Sequence, residues 1–187
     1  MLTTISSAQS TILVFGDSLS AGYGIPREAA WPVLLQAELQ RTHPHYKVVN
    51  ASISGETTSG GLRRLPATLK EHRPSIVIVE LGANDGLRGT PQDVIEKSLT
   101  ALIKQAQATH AKVLLLGMQL PPNYGVDYTK RFKALYPKLA QRHGVALVPF
   151  MLEGITGEQF QADNLHPVAE AQPVILQTVM QKLKPML

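Results

Sequence analysis

The chain has 187 residues, of which 44% are hydrophobic and 17% charged, and its formal net charge is +4. This length predicts one domain, and the composition excludes an intrinsically disordered protein. The sequence contains no cysteine, which excludes disulfides, thiolate catalysis and cysteine-ligated metals. Because its 18 Lys and Arg are scattered and no apolar run approaches ~20 residues, we expect neither a nucleic-acid partner nor stable membrane insertion.

The first ten residues differ from the rest of the chain. They are small and polar, without the basic start and apolar core of an intact signal peptide. We therefore expect a flexible leader over residues 1–10 and a single domain over residues 11–187.

Five short apolar runs alternate with segments of helical spacing along the domain. The runs cover residues 11–15, 48–53, 76–81, 113–118 and 146–149, and the helical segments cover residues 28–41, 62–71, 91–109, 128–142 and 167–183. Each run is apolar at both odd and even positions, as in parallel strands buried on both faces. The alternation predicts a three-layer α/β/α sandwich with a flavodoxin-like, five-stranded parallel sheet in the order 2-1-3-4-5.

Proline and glycine mark several helix ends in this prediction. Pro91 and Pro167 suit the first turn of a helix, where a missing N–H costs nothing. Gly144, directly after His143, suits a helix stop.

Ser18 follows the first strand and is the best candidate nucleophile. Parallel sheets of this kind place their chemistry at the carboxyl ends of the strands. With no thiol available, acyl transfer needs a Ser, a His and a carboxylate. Ser18 lies in such a strand-to-helix turn, although the same position also suits a serine that only caps a helix.

His166 is the best candidate base, with Asp163 three residues before it. The other five histidines fall near polar helix ends, where solvated side chains are expected: His43, His45, His72, His110 and His143. The stretch of residues 150–165 is long enough to carry Asp163 and His166 back from an edge strand towards Ser18. The alternative is that Asp163 or Asn164 caps a helix and that His166 is an incidental surface residue.

Donors for an oxyanion are available after the first three strands. The backbone N–H groups of Ser18 and Gly55 and the side-chain amide of Asn84 all fall at the same edge of the predicted sheet. Gly55 also suits an ordinary turn, and Asn84 also suits capping of a turn beside Asp85.

Four segments of the chain resemble the motif blocks of the SGNH (GDSL) hydrolases. They are Gly16-Asp17-Ser18-Leu19, Ser54-Gly55-Glu56, Gly82-Ala83-Asn84-Asp85 and Asp163-Asn164-Leu165-His166, in the family's order. Within the family the chain is similar to small bacterial multifunctional esterases. The resemblance implies the α/β/α fold, with Ser18 as nucleophile, His166 as base, Asp163 orienting His166, and Ser18, Gly55 and Asn84 donating to the oxyanion.

The same resemblance implies the activity of a serine esterase. Carboxylic esters and thioesters are the expected substrates, including aryl esters, lysophospholipids and acyl-CoA, and no metal or cofactor is needed. Many members of the subgroup are periplasmic, so a periplasmic or secreted location is implied, and a cytoplasmic one stays open. We expect a monomer.

Two loops are candidates for contact with the acyl chain. They lie after strands 3 and 4, and we expect substrate-binding residues in them at Leu87, Arg88, Leu120, Pro121 and Tyr124. Residues 87–91 are in addition a candidate for a movable flap. The alternative is that both loops are ordinary turns.

Two other functions remain open at this point. A carbohydrate O-deacetylase could use the same catalytic residues, but an aromatic content of 5% offers little for stacking on sugars. A flavodoxin-like signalling or binding domain could use Asp17 and Asp85 as an acidic pocket. A receiver domain would also need a second acidic residue beside Asp17, where this chain has Gly16, and a Lys after the last strand.

Overall fold

The structure is a computed structural model, and it describes residues 9–187. The predicted flexible leader lies outside the described residues except for Gln9 and Ser10, and Ser10 already belongs to the first strand. The strands are β1 Ser10–Gly16, β2 Tyr46–Asn50, β3 Ile76–Glu80, β4 Lys112–Leu116 and β5 Ala146–Val148. The α-helices are α1 Ser18–Ala21, α2 Trp31–Thr42, α3 Thr58–His72, α4 Ala83–Leu87, α5 Gln92–Ala108, α6 Val126–His143 and α7 Gln172–Leu183.

The five strands form one parallel sheet in the order β2-β1-β3-β4-β5. Helix α2 packs against α7 on one face, while α3 packs against α5 and α5 against α6 on the other. The predicted three-layer sandwich and its strand order are thus confirmed. Strand β1 lies between β2 and β3, so the loops that follow these three strands meet at one edge.

The centre of the sheet is buried on both faces. In β1 the residues from Ile12 to Phe15 are fully buried, and all five residues of β3 are buried too. Helices on both faces explain why these strands read as continuous apolar runs rather than as alternating ones. One residue of β3 departs from that pattern, because Glu80 is charged in water and yet has no exposed surface.

Several predicted element ends are wrong by a few residues. The second strand begins at Tyr46 and ends at Asn50, because the Asn50 side chain accepts from the N–H of Ser52 and turns the chain. Helix α2 begins at Trp31 rather than residue 28, since Ala30 is still extended. Helix α3 begins at Thr58, where Thr57 caps it by accepting from the N–H of Gly60.

The predicted roles of the two prolines are also wrong, whereas the glycine stop is confirmed. Pro91 is extended and precedes α5, rather than lying in its first turn. Pro167 lies well before α7, in a β-bridge to Phe160, and α7 has Pro173 in its first turn instead. Gly144 ends α6 in a left-handed conformation, with φ of 61°.

Two short helices, α1 and α4, were not predicted. Each has at most five residues, too few to show a helical period in the sequence. They follow β1 and β3, and they contain Ser18 and Asn84 respectively. In the part of the chain that the structure describes, no helix is both long and apolar enough to cross a bilayer.

Candidate active site

The turn after β1 presents Ser18 at the carboxyl edge of the sheet. Asp17 caps α1, and its Oδ1 accepts from the N–H of Leu19 at 3.0 Å. The cap is therefore Asp17, which leaves the Ser18 hydroxyl free for another partner. Since α1 has only four residues, its dipole is small, and any help to an oxyanion comes from the Ser18 N–H itself.

Glu80 can approach the backbone here only because Gly16 has no side chain. A Cβ at Gly16 would lie 2.5 Å from Oε2 of Glu80 and 3.0 Å from Oγ of Ser20. Glu80 is the register partner of Gly16 in the neighbouring strand β3. The close approach places the nucleophile turn directly against a buried carboxyl group.

A small hairpin brings Asp163 and His166 to the same place. Its ends are joined by the bridge between Phe160 and Pro167, and the N–H of Gln161 donates to the carbonyl of His166 at 2.7 Å. The hairpin lies at the end of the long stretch that follows β5. This stretch spans the distance from the edge strand to β1, as its length predicts.

Ser18, His166 and Asp163 form a continuous hydrogen-bonded chain. The Oγ of Ser18 lies 2.8 Å from Nε2 of His166, and Nδ1 of His166 lies 2.6 Å from Oδ2 of Asp163. With Asp163 ionised, Nδ1 carries the proton and donates to it, so Nε2 is the free acceptor for the serine hydroxyl. The structure thus brings these three predicted residues into one contact network.

Asp163 is held as a carboxylate by its own hairpin. Partial burial raises its pKa, but the N–H groups of His166 and Leu165 and the imidazole of His166 outweigh burial and lower the pKa of Asp163 to about 2. Both N–H groups donate to Oδ1, at 3.0 Å and 2.9 Å, which leaves Oδ2 for the imidazole. One carboxylate therefore both closes the turn and orients His166.

Tyr23 completes the surroundings of His166. Its ring lies 4.7 Å from the imidazole, centroid to centroid, in a tilted arrangement. The side chain of Gln161, in the hairpin, donates to the Tyr23 carbonyl at 2.8 Å. Tyr23 and the hairpin that carries His166 are thus in direct contact.

The three predicted oxyanion donors lie in adjacent loops. The Nδ2 of Asn84 donates to Oδ2 of Asp17 and to the carbonyl of Glu56, each at 3.0 Å, and so links the residue before Ser18 to the residue after Gly55. Within residues 9–187 the N–H groups of Ser18 and Gly55 have no protein acceptor. Gly55 adopts φ of 78°, a left-handed conformation that a side chain would strain.

Asp85, the residue after Asn84, has a structural role. Its carboxylate accepts from the backbone N–H and the hydroxyl of Thr58, both at 2.8 Å, at the start of α3. These bonds fasten α4 to α3. Asp17 and Asp85 are thus each engaged in separate contacts and do not form the shared acidic pocket of a receiver domain.

Behind the nucleophile turn lies a pair of buried carboxyl groups, Asp17 and Glu80. Burial raises the pKa of Asp17 to about 6, against the hydrogen bond from Leu19. Burial and the neighbouring charge of Asp17 raise the pKa of Glu80 well above its ordinary value. The sequence prediction missed Glu80, although a glutamate inside an otherwise apolar run was the available signal.

A cavity of about 400 Å³ opens beside Ser18 and His166. Its polar lining includes Asp17, Asn84, Gln119 and Asn164. Its apolar lining consists of Leu19, Ala83, Leu87, Met118, Leu120, Pro121, Pro122, Phe150, Leu152, Phe160 and Leu165. This volume lies within the range of roughly 300–1,000 Å³ that small-molecule sites occupy. A reacting group at Ser18 would thus adjoin a largely apolar compartment.

The predicted substrate-binding residues divide into two groups. Leu87, Leu120 and Pro121 line the cavity. Arg88 is exposed and donates to the carbonyl of Gly55 at 3.4 Å, and the Tyr124 hydroxyl donates to the carbonyl of Leu87 at 3.2 Å. Neither Arg88 nor Tyr124 lines the cavity, so contact of these two with a substrate stays a prediction.

Comparison with known proteins decides the family. The sequence profile of the "GDSL-like Lipase/Acylhydrolase family" matches residues 14–172. The chain belongs to this family. It contains the serine-containing turn, the asparagine and the Asp–His hairpin in the order and geometry just described.

Curated relatives match this GDSL-family chain over nearly its full length. It is 49% identical to Esterase TesA of Pseudomonas aeruginosa, over 100% of this chain and 94% of the relative. It is 46% identical to Arylesterase of Vibrio mimicus, over 97% and 92%. It is 45% identical to Thioesterase 1/protease 1/lysophospholipase L1 of Escherichia coli, over 100% and 89%. This chain is accordingly a serine hydrolase.

Solved structures match the whole fold of the GDSL-family chain. The crystal structure of TesA aligns with a TM-score of 0.92 at 49% identity, covering 95% of this chain and 100% of that one. The esterase EstA from Pseudoalteromonas sp., inhibited by monoethylphosphonate, aligns with a TM-score of 0.90 at 41% identity, covering 95% and 98%. These matches confirm the predicted fold class.

Two further features of this GDSL hydrolase bear on the location of the site. The loop after β5 supplies Phe150, Leu152 and Phe160 to the cavity, a contribution that the sequence prediction missed.

A larger hollow of about 570 Å³ lies at the opposite end of the sheet, between the ends of α3 and α5. It contains Lys70 and Arg73 but no nucleophile with a base, so the chemistry belongs to the smaller cavity.

Proposed function

We propose that the protein hydrolyses carboxylic esters and thioesters with apolar acyl chains through an acyl-enzyme on Ser18. The observation that carries this proposal is the chain from Ser18 Oγ to His166 Nε2 at 2.8 Å and from His166 Nδ1 to Asp163 at 2.6 Å, beside the apolar cavity. A nucleophile, a base and an orienting carboxylate in this order are the parts that acyl transfer requires.

The first half of the cycle forms the acyl-enzyme. Ser18 Oγ attacks the carbonyl carbon while Nε2 of His166 takes its proton. The carbonyl oxygen becomes an oxyanion, which accepts from the N–H groups of Ser18 and Gly55 and from the Asn84 amide. Both hydrogens of that amide have protein acceptors in this structure, so one of them must be redirected to the oxyanion or shared with it. The imidazolium then protonates the leaving alcohol or thiol, which departs.

The second half releases the acid. His166 takes a proton from a water molecule, and the resulting hydroxide attacks the acyl carbon. The same donors hold the second oxyanion. Collapse of this intermediate breaks the bond to Ser18, which regains its proton from His166. Asp163 remains ionised throughout, because its pKa is about 2.

The cavity lining suits an aliphatic acyl chain. Leu87, Leu120 and Pro121 form part of an apolar wall beside Ser18, where an acyl chain would lose its contact with water. The relatives are named as an esterase, an arylesterase and a thioesterase/lysophospholipase. We extend these substrate classes to this chain: aryl esters, lysophospholipids and acyl-CoA. The largely apolar lining favours them over an acetylated sugar.

The loop of residues 87–91 is proposed as a movable wall of this cavity. Leu87 lines the cavity, while Arg88 and Gly89 are exposed. The N–H groups of Arg88, Gly89 and Thr90 donate to carbonyls of α4, and the Tyr124 hydroxyl donates to the Leu87 carbonyl. Movement of this wall would therefore break these bonds or carry α4 along. Shortening the loop should change the preferred acyl-chain length in a series of p-nitrophenyl esters, and an unchanged preference would exclude this role.

A substrate panel tests the proposed function. Acyl-CoAs, lysophospholipids, p-nitrophenyl esters and acetylated sugars are hydrolysed by the wild type and by Ser18→Ala under the same conditions. We expect turnover of the first three classes and its loss in the variant. Hydrolysis confined to acetylated sugars would instead establish the O-deacetylase. Fractionation of the native host and light scattering test the proposed periplasmic location and the proposed monomer.

A further inference from the structure

The strongest unexplained feature is a carboxyl group buried directly behind the nucleophile. Glu80 ends β3, has no exposed surface, and takes no part in the cycle above. A charged group buried without a partner is costly, so its surroundings should show how the charge is met.

The surroundings of Glu80 offer hydrogen bonds but no cation. Its Oε2 accepts from the N–H of Asp17 at 3.2 Å and from the hydroxyl of Ser20 at 2.8 Å. The Ser20 oxygen also accepts from the indole N–H of Trp31 at 3.2 Å. Since Trp31 is the donor in that bond, the single hydroxyl proton of Ser20 is available for Glu80. Oε2 is therefore satisfied by two donors. The other oxygen, Oε1, has no donor among the described residues.

The groups facing Glu80 are mostly acidic. Its carboxyl group adjoins Asp17, the residue after β1, whose backbone N–H donates to it and whose carboxyl group interacts with it electrostatically. Tyr136 of α6 lies near enough for electrostatic interaction with Glu80, Asp17 and Asp85, and its hydroxyl donates to the Leu81 carbonyl. From the hairpin, His166 interacts with Asp17.

Arg64, a cationic residue of helix α3, forms its hydrogen bonds with groups other than Glu80. The guanidinium of Arg64 donates to Glu56 and to the Ala51 carbonyl, and it stacks over the ring of Phe15. No described ion pair includes Glu80. Two ionised carboxylates so close together, without a cation, would repel each other strongly.

We propose that Glu80 is a positioning residue for the proposed ester hydrolysis, which keeps a proton on Oε1 and donates it to the carboxylate of Asp17. Oε1 is the oxygen left without a donor, so a proton there satisfies it and gives Asp17 a further hydrogen bond. This inference rests on the proposed function of the same site. Burial, which raises the pKa of Glu80 well above its ordinary value, agrees with it.

The proton has two consequences for the reaction. First, it keeps a second negative charge away from the place where the oxyanion forms, beside Asn84 and Ser18. Second, it keeps Asp17 hydrogen-bonded when Asn84 turns one of its N–H groups from Asp17 towards the oxyanion. Glu80 thus acts through Asp17 and contacts neither the substrate nor the reacting atoms.

The first test compares Glu80→Gln with the wild type over a pH series. Glutamine reproduces the protonated acid, since its amide donates to Asp17 and its carbonyl accepts from Ser20 and the Asp17 N–H. We expect kcat at neutral pH within about 3-fold of the wild type. At alkaline pH kcat of the wild type should fall as Glu80 ionises, with KM little changed, whereas kcat of Glu80→Gln should not.

A matched control is Glu96→Gln. Glu96 lies on α5, pairs with Lys138 and Arg142, and does not line the cavity beside Ser18. This variant should keep the alkaline fall of the wild type. A second variant, Glu80→Leu, removes the donor to Asp17 and should lower kcat about ten-fold or more at neutral pH. If Glu80→Gln keeps the alkaline fall of the wild type, the proposal is wrong.

A second measurement depends neither on the variants nor on catalysis. Carbon-13 NMR of wild-type protein labelled at the glutamate side-chain carboxyl reports the protonation of every glutamate. We expect one resonance at the shift of a protonated acid at pH 7, while the others are ionised. If all are ionised at pH 7, the proposal fails even if the esterase is active. If one is protonated but esters are not hydrolysed, the proposed function fails while the protonation stands.

Discussion

The Oγ of Ser18 lies 2.8 Å from Nε2 of His166, although 148 residues separate the two in the chain. The contact joins the turn after β1, at the centre of the sheet, to a hairpin that follows the edge strand β5. The contact places the base in position to take the serine proton. Such preorganisation lowers the cost of reaching the transition state.

Two variants of Asp163 distinguish its two roles, which are to orient His166 and to close the hairpin. In Asp163→Asn the new side-chain oxygen can still accept from the N–H groups of Leu165 and His166. Its NH₂ group, however, faces Nδ1 and favours the wrong imidazole tautomer. We expect kcat to fall about 10⁴-fold with little loss of stability, as measured by ester hydrolysis and thermal unfolding.

Asp163→Ala is the contrasting variant for this prediction. It removes both the acceptor for the imidazole and the acceptor for the two N–H groups, so it should lose stability as well as activity. Equal unfolding temperatures for the alanine and asparagine variants would show that the carboxylate does not hold the hairpin.

Asp163 also links stability to pH. Because its pKa in the folded protein is about 2, below its ordinary 3.8, ionisation of Asp163 favours folding. This contribution is complete above about pH 4 and is lost as the pH falls towards 2. The side chain is 38% exposed, so solvent screening keeps the effect small. In urea unfolding between pH 4 and pH 2, wild-type stability should fall more steeply than that of Asp163→Asn, and parallel curves would contradict this.

Asn84 should affect the transition state more than substrate binding. Asn84→Ala removes an oxyanion donor and also the link between Asp17 and the Glu56 carbonyl. We expect kcat to fall about 10²–10³-fold, with a KM change of less than about 3-fold. Steady-state kinetics on a p-nitrophenyl ester measure both constants. A rise in KM at unchanged kcat would place Asn84 in ground-state binding instead.

The cavity wall should set the acyl-chain preference. Phe150→Ala enlarges the cavity beside Ser18, so hydrolysis of longer or branched acyl chains should gain relative to short ones. Val126→Ala is the control, because Val126 is 80% exposed and does not line the cavity. The readout is kcat/KM along a series of p-nitrophenyl esters. An identical shift in both variants would argue against the assignment of the acyl site.

Much of the fold could be predicted from the sequence because buried parallel strands leave a clear pattern. The runs around Ile12 and Ile78 are apolar at both odd and even positions, and helices separate them. Motif order then pointed to Ser18 and His166, since both follow strands of one sheet. The four-residue α1 and the five-residue α4 were missed, because a single helical turn shows no period.

Other features depend on tertiary contacts that no local pattern encodes. Phe150 and Phe160 line the cavity only because the loop after β5 crosses the sheet. Pro167 looked like a helix start, but it joins the hairpin through its bridge to Phe160. Glu80 was counted simply as part of an apolar run, and its contact with the Asp17 backbone follows from the register of β1 and β3.

The central claim is that Ser18 carries the acyl group with His166 as its base. Labelling with a fluorophosphonate, followed by intact-mass and peptide mass spectrometry, tests it most directly. We predict one adduct per chain, located on Ser18, with none in Ser18→Ala and much slower labelling in His166→Ala. An adduct on another residue, or undiminished labelling of Ser18→Ala, would contradict the claim.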